Sequence, residues 1–313
     1  MSILYRSDAA RAVAWASYFA RHAPDLEFRT WPDAGNLRET EYLIAWQVPA
    51  DLLAQMPNLK VLFSSGAGID HVDLAALPAH VPLVRMIEPG IINGMVEYVS
   101  LAVLALHRDF FHYMEQKAVR SWNPLEVPSA SSRTIGVMGL GSLGCAVLDR
   151  LASYGFRLRG WNRSPRAIDG VQTFAGADQL QPFLAGCDIL VCLLPLTPET
   201  RHVLNRALFA KLNRNSPLGA PVLINAGRGG LQNEADILQC LDDGTLGGAS
   251  LDVYGTEPLP PDSRFWTHPK VVLTPHNAAD TDPDEISKYV ARQIERFEAG
   301  GALENVVDRS RGY

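Results

Sequence analysis

The chain has 313 residues, of which 47% are hydrophobic and 20% charged, and its formal net charge is −6. This composition is typical of a globular protein in water with enough chain for two domains. The sequence has no block of lysine and arginine residues that would indicate a nucleic-acid-binding surface. Its longest near-apolar stretch, residues 98–106, is too short to span a bilayer. We therefore expect neither a nucleic-acid partner nor a membrane association.

Strand and helix patterns alternate along the first part of the chain. Short apolar runs predict strands at residues 2–6, 27–31, 42–46 and from 60 into the glycine loop "SSGAGID", whereas residues 9–23 and 49–56 have helical patterns. Strands that alternate with helices form a parallel sheet covered on both faces, so this part predicts an α/β domain. Apolar residues recurring every three to four positions predict one long helix from about Asn93 to Arg120.

A second alternating series follows the polar loop 123–133. Its strands end in "TIGVMGLGSLG", "RLRGWNR", "DILVCLLP", "APVLINAGRGG", "GGASLDVYG" and "KVVLTPH". The tail from about Asp284 to Phe297 is again helical and is expected to return to the first domain. The predicted fold class is therefore α/β, with two Rossmann-like doubly wound parallel-sheet domains, of which the first is discontinuous.

The first motif with chemistry is "GLGSLG", in which Gly139, Gly141 and Gly144 have GxGxxG spacing. It follows a predicted strand and precedes a predicted helix, which is the context that a dinucleotide-binding loop needs. Such a loop turns tightly, lets backbone approach a pyrophosphate and directs a helix N-terminus at the anion. We therefore predict a dinucleotide-binding domain over residues 98–282 and a substrate domain made of residues 1–97 and 283–313.

The end of the next strand, "GWNRSPR", indicates which nucleotide is bound. NAD-binding folds usually place an acidic residue there to hold the ribose 2′-hydroxyl, but this stretch has none. Asn162, Arg163, Ser164 and Arg166 instead supply positive charge and hydrogen-bond donors suited to a 2′-phosphate. The sequence thus favours a binding site for NADP(H), with NAD(H) also possible. The alternative is a solvated turn with two ordinary arginines.

Three later strand ends each carry one residue with acid–base or charge chemistry. Arg228 follows "VLIN", Glu257 lies just beyond the strand that ends near Asp252, and His276 follows "VVLTP". The carboxyl ends of parallel strands share one edge of the sheet, where ligands bind in such folds. There the arginine can hold a carboxylate and polarise a carbonyl, the histidine can give or take a proton, and the glutamate can favour the charged imidazole.

The four cysteines form no CxxC pair and no ligand pattern with a histidine; they are Cys145, Cys187, Cys192 and Cys240. The N-terminus lacks the apolar core and cleavage site of a signal peptide. We therefore expect reduced thiols, no metal site and a cytoplasmic protein.

Over essentially its full length the chain resembles the D-isomer-specific 2-hydroxyacid dehydrogenase family. The matching stretches are "GLGSLG", "LLPLTPET", "INAGRGG", "LDVYGTEPLP" and "TPHNAA", and the separations also fit, with 29 residues from Arg228 to Glu257 and 19 from Glu257 to His276. Within the family it is similar to the bacterial glyoxylate/hydroxypyruvate reductase A branch, on "GAGID", "WNRSPR", "EPLPPDSRFWTHP" and the C-terminal "RGY".

The resemblance implies an enzyme that reduces small 2-oxo acids, glyoxylate to glycolate and hydroxypyruvate to D-glycerate, with Arg228, Glu257 and His276 as its catalytic set. It implies that the amides of Ala67 and Gly68 bind the substrate carboxylate in an interdomain cleft. Trp46, at the end of a predicted strand, is expected either to line that cleft or to be a core aromatic. The implied cofactor contacts are Gly139, Gly141, Ser142, Leu143, Gly144, Asn162, Arg163, Ser164, Arg166, Leu194, Pro195, Ala226, Gly227, Asp252, Ala278 and Ala279.

Among these, Asp252 corresponds to the acid that meets the nicotinamide carboxamide. Asn277 departs from the aliphatic residue that many members carry, so the packing beside His276 is open to change.

The region after Asn93 matches the part through which the family dimerises, which implies a homodimer. Two other functions remain as alternatives: a dehydrogenase for a bulkier D-2-hydroxy acid, and a nucleotide-sensing, corepressor-like binding protein.

Overall fold

The computed structural model describes residues 1–215, 219–280, 282–310 and 312. Of the C-terminal "RGY" sequence, Arg311 and Tyr313 lie outside the described residues. The chain forms two compact units, Met1–Ile91 with Asp280–Tyr313 and Ile92–Ala279. The sequence placed the two crossings after residues 97 and 282, and the substrate and cofactor roles given to the two parts remain predictions.

Most of the predicted strands and helices are present, with ends shifted by a few residues. The strands are β1 Ser2–Arg6, β2 Glu27–Thr30, β3 Tyr42–Ala45, β4 Val61–Ser64, β5 Leu83–Val84, β6 Thr134–Met138, β7 Arg157–Asn162, β8 Gln172–Ala175, β9 Ile189–Cys192, β10 Val222–Asn225, β11 Gly248–Leu251 and β12 Val271–Leu273. The helices are α1 Ala9–His22, α2 Ala50–Leu53, α3 Pro89–His107, α4 Phe110–Ala118, α5 Ser142–Ala152, α6 Leu180–Leu184, α7 Arg206–Phe209, α8 Glu234–Asp242 and α9 Pro283–Glu298. The short strands β5 and β8 were not predicted, because neither has an alternating apolar pattern or a long apolar run.

The first unit is built on a parallel sheet with strand order β2-β1-β3-β4-β5. Its inner strands are buried along their length, with Leu4, Leu43 and Leu62 all inaccessible to solvent. Strands covered on both faces need continuous apolar runs, which explains why "YLIA" and "VLFS" do not alternate. Helix α9 packs against α1. The C-terminal segment thus returns to the first unit.

The second unit contains a parallel sheet with strand order β12-β11-β10-β9-β6-β7-β8. The chain runs outward from β6 through β7 to β8, then crosses to β9 and continues outward through β12. The order therefore reverses between β6 and β9, and ligands of doubly wound sheets bind at the carboxyl ends of the strands at such a point. The predicted fold class of two α/β domains with parallel sheets is confirmed.

The single helix expected from Asn93 to Arg120 is wrong, because the structure has two helices, α3 and α4, separated at Asp109. Asp109 has a left-handed backbone with φ of 52°, which ends α3 because a helix cannot continue through that conformation. Aspartate is one of the residues that tolerate it. The apolar repeat continues on both sides of the break, so periodicity alone could not reveal it.

Helix α3 is longer than the apolar stretch noted in the sequence. It has 19 residues and a mean hydropathy of 1.5 over an 18-residue window, enough by length and composition to cross a bilayer. The stretch 98–106 is thus part of a longer apolar helix, because the helix continues upstream to Pro89. One face, with Met95, Val99 and Val103, packs into the same buried cluster as Ile135 of β6. The core helix of a globular unit meets the same length and composition test.

Candidate active site

The loop between β6 and α5 needs glycine at two positions and leaves space at a third. Gly139 has φ of +100°, and a Cβ there would lie 2.7 Å from the carbonyl oxygen of Leu193. A Cβ on Gly144 would lie 1.9 Å from the oxygen of Gly139, so any side chain would push the helix off the strand. At Gly141 a Cβ would meet nothing within 4 Å. The space in front of Gly141 is therefore open to a ligand.

The N-terminus of α5 is suited to an anion. Gly141 is the N-cap residue and provides no side-chain hydrogen bond, so no cap side chain occupies the amides of the first turn, which begins with Ser142 and Leu143. Free N–H groups and the helix dipole together favour a phosphate at this position. The open space, the uncapped amides and the enforced glycines fit the pyrophosphate of a dinucleotide.

The turn after β7 brings its polar side chains to the same loop. Asn162 Nδ2 donates to the oxygen of Ser164 over 3.1 Å, which shapes the turn. The Arg166 guanidinium donates through Nη1 to the carbonyl of Leu140, between the first two glycines. The pKa of the Glu199 carboxyl is lowered, first by a hydrogen bond from Thr197, then by the backbone, and also by the charge of Arg163. The turn that carries Arg163 and Arg166, called here the arginine turn, and the loop after β9 therefore lie near the glycine loop, residues 139–144.

The three predicted catalytic residues follow strands β10, β11 and β12, which are neighbours in the sheet. Nδ1 of His276 lies 2.7 Å from Oε2 of Glu257, and the two side chains are 34% and 35% exposed. The other carboxylate oxygen, Oε1, accepts a hydrogen bond from the N–H of Tyr254 over 2.9 Å. The imidazole Nε2 is therefore the ring nitrogen left for a reacting molecule.

The pKa of the Glu257 carboxyl lies below its usual value. Burial raises the pKa, but the hydrogen bonds from His276 and from the backbone of Tyr254, with the positive charges of His276 and Arg228, outweigh that effect. Each of these contacts stabilises the ionised carboxylate.

Arg228 lies on a tight turn directly after β10. Its Nη1 donates to the oxygen of Gly227 over 2.8 Å, and its charge acts on Glu257. A Cβ on the next residue, Gly229, would lie 1.8 Å from the oxygen of Tyr254, so the loops after β10 and β11 touch backbone to backbone. The structure thus brings the arginine, the glutamate and the histidine together on one edge of the second unit.

Asp252 holds the turn that carries His276. Its carboxylate is 1% exposed and accepts three hydrogen bonds, from Thr274 Oγ1 over 2.6 Å and from the N–H groups of Asn277 and Ala278 over 3.0 Å each. Its own carbonyl accepts the N–H of His276 over 2.8 Å, which fixes the left-handed backbone there at φ of 53°. The sequence did not reveal this role. Asn277 contributes a backbone group that any residue except proline would supply.

Other predicted cofactor residues also follow strand ends of the same sheet. Leu194 and Pro195 come after β9, Ala226 and Gly227 after β10, and Ala278 and Ala279 after β12. Leu194, Ala226 and Ala278 are only 5 to 6% exposed. These residues therefore offer backbone or small contact surfaces.

The substrate loop predicted in the first unit follows β4. Ser64 Oγ donates to the oxygen of Gly68 over 3.1 Å and accepts from the N–H of Gly66 over 3.3 Å, which closes the turn around Ala67. The Trp46 indole covers this turn, since a Cβ on Gly66 would lie 2.8 Å from its Cζ3 atom. The side chain of His71 stacks on the indole at 3.7 Å between ring centres. Trp46 and the loop therefore form one surface within this unit.

Comparison with known proteins gives one consistent answer. The model of the family "D-isomer specific 2-hydroxyacid dehydrogenase, NAD binding domain" matches residues 100–278. A glyoxylate/hydroxypyruvate reductase A from Serratia proteamaculans is 40% identical over the whole of both chains. The chain belongs to the D-isomer-specific 2-hydroxyacid dehydrogenase family. The family prediction made from the sequence motifs is confirmed.

Solved structures of this dehydrogenase family have the same fold over the whole chain. The NADPH-dependent glyoxylate/hydroxypyruvate reductase from Sinorhizobium meliloti, in complex with NADP and sulfate, is 44% identical, with a TM-score of 0.92 over 100% of this chain and 99% of that one. A probable 2-hydroxyacid dehydrogenase from Rhizobium etli, in complex with NADP, HEPES and tartaric acid, is 41% identical, with a TM-score of 0.93 over the same shares.

Among the residues described, no group of histidine, cysteine and acidic side chains could hold a metal ion.

Proposed function

We propose that this protein is an NADPH-dependent reductase of small 2-oxo acids, converting glyoxylate to glycolate and hydroxypyruvate to D-glycerate. The observation that carries the proposal is the 2.7 Å contact between His276 Nδ1 and Glu257 Oε2, beside Arg228, on the sheet edge that also carries the glycine loop. A positioned acid and a carboxylate-binding cation are what reduction of a 2-oxo acid needs.

The reaction adds a hydride to the carbonyl carbon and a proton to its oxygen. NADPH, when bound, supplies the hydride. His276 gives the proton from Nε2, and Glu257 keeps the ring oriented through Nδ1 and offsets its charge. Arg228 holds the substrate carboxylate and polarises the carbonyl, so the negative charge that grows on the oxygen meets two cationic groups.

The residues around the glycine loop suit the cofactor. Gly139, Gly141 and Gly144, with the amides of Ser142 and Leu143, would hold the pyrophosphate. Asn162, Arg163, Ser164 and Arg166 would hold the 2′-phosphate, because an arginine turn without an acidic residue attracts that group rather than repelling it. Leu194, Pro195, Ala226, Gly227, Asp252, Ala278 and Ala279 would contact the rest of the dinucleotide. The NADP complexes of the two solved relatives support this preference over NAD(H).

For the substrate we propose Ala67, Gly68 and Trp46. Ser64 closes the turn that contains Ala67 and Gly68, and backbone amides in such a turn bind carboxylates well. The indole of Trp46, packed on Gly66, would give this turn an apolar wall that limits the size of the acid.

The test is a panel of initial rates with glyoxylate, hydroxypyruvate and bulkier 2-oxo acids, each with NADPH and NADH. We expect the two small acids with NADPH to give the highest kcat/KM, and His276→Gln to abolish most of it. Preference for a larger acid would instead support the bulkier-substrate dehydrogenase. NADPH binding without turnover of any 2-oxo acid would support the corepressor-like protein.

We also propose that the protein is a homodimer that pairs through α3, α4 and the segment after them. This region exposes large apolar side chains, namely Leu101, Phe110, Met114, Val119 and Trp122, and Trp122 is 96% exposed. An apolar set of this kind indicates an interface. Light scattering after gel filtration should give twice the chain mass. Trp122→Glu should shift it toward the monomer, whereas Trp266→Glu, which changes an exposed tryptophan of the second unit outside this segment, should not.

A cytoplasmic location is proposed on the state of the cysteines, since those at 145, 187, 192 and 240 are free thiols. Burial raises the pKa of the Cys187 thiol, and it raises that of Cys192 to about 12, so neither is a reactive thiolate near neutral pH. Four unpaired cysteines suit a reducing compartment.

A further inference from the structure

A buried amide bridge joins the two loops that carry Arg228 and Glu257. Asn225 is fully buried and Gln232 is 3% exposed. Asn225 Nδ2 donates to Gln232 Oε1 over 2.9 Å, and Gln232 Nε2 donates to the carbonyl of Val253 over 2.9 Å. The bridge thus runs from the last residue of β10 to the loop after β11.

Asn225 also fixes the backbone on both sides of the Arg228 side chain. Its Oδ1 accepts the N–H of Gly227 over 3.1 Å, and its Nδ2 donates to the carbonyl of Arg228 over 3.2 Å. With Gln232 as a third partner, both N–H groups of the Asn225 amide and its oxygen are engaged. The direction of the Arg228 backbone is therefore set by a side chain that is itself held from the neighbouring loop.

Glu234 adds a second contact to the loop of Glu257. Its Oε1 accepts the N–H of Gly255 over 2.8 Å and lies 3.4 Å from Gln232 Nε2. Gly255 is two residues before Glu257, so this contact acts close to the carboxylate that holds His276. The loops are so close that Gly229 has no room for a Cβ against Tyr254.

We propose that Asn225, Gln232 and Glu234 are positioning residues that keep Arg228 in register with Glu257 and His276. The inference rests on the function proposed above. Gln232 and Asn225 are too buried to meet a substrate, so they act through the two loops. Gln232 must accept at Oε1 and donate at Nε2, and a group of the same shape with the wrong hydrogen-bonding pattern would separate the loops.

The main test is Gln232→Glu in the full-length protein. It keeps the size but replaces the donor to Val253 with an oxygen, next to Glu234. We expect kcat/KM for glyoxylate to fall about ten- to a hundredfold, since displacement of catalytic groups by about 1 Å has costs of that order. Both kcat and KM should worsen, because Arg228 and Glu257 both move, while NADPH affinity measured by fluorescence titration should change much less than kcat/KM.

The matched control is Gln293→Glu. Gln293 is also 3% exposed and accepts one described backbone N–H, from Glu304 over 3.1 Å, but it belongs to the first unit and has no described contact with this network. It should leave the kcat/KM unchanged. If Gln232→Glu does not fold, Glu234→Ala decides, because Glu234 is only partly buried. Glu234→Ala should lower kcat/KM, and Glu234→Gln should restore most of it, since an amide oxygen still accepts from Gly255.

A second measurement separates positioning from general stability. If the bridge acts through Glu257, Gln232→Glu should cost much less in a Glu257→Gln background than in the wild type. Effects that multiply fully would overturn the proposal, as would wild-type kcat/KM in both Gln232→Glu and Glu234→Ala. A wild-type protein that turns over no 2-oxo acid would instead remove the proposed function, and this inference with it.

Discussion

His276 and Glu257 are locked together in one orientation. Oε2 of the carboxylate meets His276 Nδ1 at 2.7 Å, and Oε1 is occupied by the N–H of Tyr254 at 2.9 Å. Because both oxygens are engaged, the carboxylate cannot turn away from the imidazole without breaking a backbone hydrogen bond. The tautomer follows from this contact: Nδ1 carries a proton toward Glu257, and Nε2 is the nitrogen left for the substrate in the proposed reaction.

The first prediction concerns the pH profile of Glu257→Gln. Burial raises the pKa of Glu257, but the hydrogen bonds from His276 and Tyr254 outweigh it and keep that pKa below its usual value, so the wild-type carboxylate is ionised near neutral pH. In the proposed reduction the proton comes from the protonated imidazole of His276, so the rate should fall at high pH. Removal of the neighbouring negative charge makes that protonated form less stable, and the alkaline fall should therefore move to lower pH.

The measurement is kcat/KM for glyoxylate across pH at constant ionic strength, for both proteins. Glu199→Gln is the control, because it removes an exposed carboxylate of the same unit that has no contact with His276 among those described. A fall that stays in place, or moves to higher pH, in Glu257→Gln would show that Glu257 is not the electrostatic partner of His276.

The second prediction separates the roles of His276 and Arg228. His276→Gln should lower kcat by about a hundredfold or more, the usual scale for a lost general acid, with little change in NADPH binding. Arg228→Lys keeps the charge but loses the planar donor fork, so it should raise KM and lower kcat together. Stopped-flow measurement of NADPH oxidation gives both constants. If His276→Gln keeps most of its turnover, the proton comes from another group.

The sequence was enough to predict which loops and strand ends make up the candidate site. The glycine loop, the arginine turn and the three strand ends are local features, and parallel strands bring their carboxyl ends to one edge whatever the details of packing. His276 could be identified because it follows shortly after the end of β12. That position alone places it at the carboxyl edge of the sheet.

The supporting contacts could not be predicted in the same way. Asp252 was assigned to the cofactor, yet its carboxylate accepts hydrogen bonds from the turn that carries His276. Gln232 belongs to no motif that the sequence analysis identified. Gln232 meets Val253 across 21 positions of sequence, and the direction of a buried side chain leaves no periodic trace. The break at Asp109 escaped for a related reason, since one residue of left-handed backbone does not interrupt an apolar repeat.

The third prediction concerns cofactor choice. Arg163→Ala should weaken NADPH about tenfold or more and leave NADH unchanged, because it removes a charge-assisted contact to the 2′-phosphate alone. Arg166→Ala should weaken both, since Arg166 also holds the glycine-loop carbonyl of Leu140. Arg150→Ala, on the exposed face of the far end of α5, is the charge-matched control.

Dissociation constants for both nucleotides, from quenching of tryptophan fluorescence, test this directly. Equal use of NADPH and NADH by the unmodified protein would contradict the 2′-phosphate site. Loss of NADH binding in Arg163→Ala would show that Arg163 shapes the loop rather than reading the phosphate.

The fourth prediction concerns Thr274, whose hydroxyl donates the shortest of the three described hydrogen bonds to Asp252, at 2.6 Å. Thr274→Val has nearly the same shape but leaves one lone pair of a buried carboxylate unsatisfied. The free energy of unfolding should fall by about 1–3 kcal/mol, the usual cost of such a loss. Because Asp252 also holds the backbone of Asn277 and Ala278, the turn that carries His276 should loosen and kcat should fall severalfold.

Thr274→Ser provides the matched control, since it keeps the hydroxyl and should restore both stability and kcat. Urea unfolding followed by circular dichroism, with kcat for glyoxylate on the same samples, makes the comparison. If Asp252 serves only the cofactor, Thr274→Val should raise the dissociation constant of NADPH and leave kcat at saturating cofactor unchanged. If it acts through the histidine turn, kcat should fall even when cofactor is saturating, and Thr274→Ser alone should recover it.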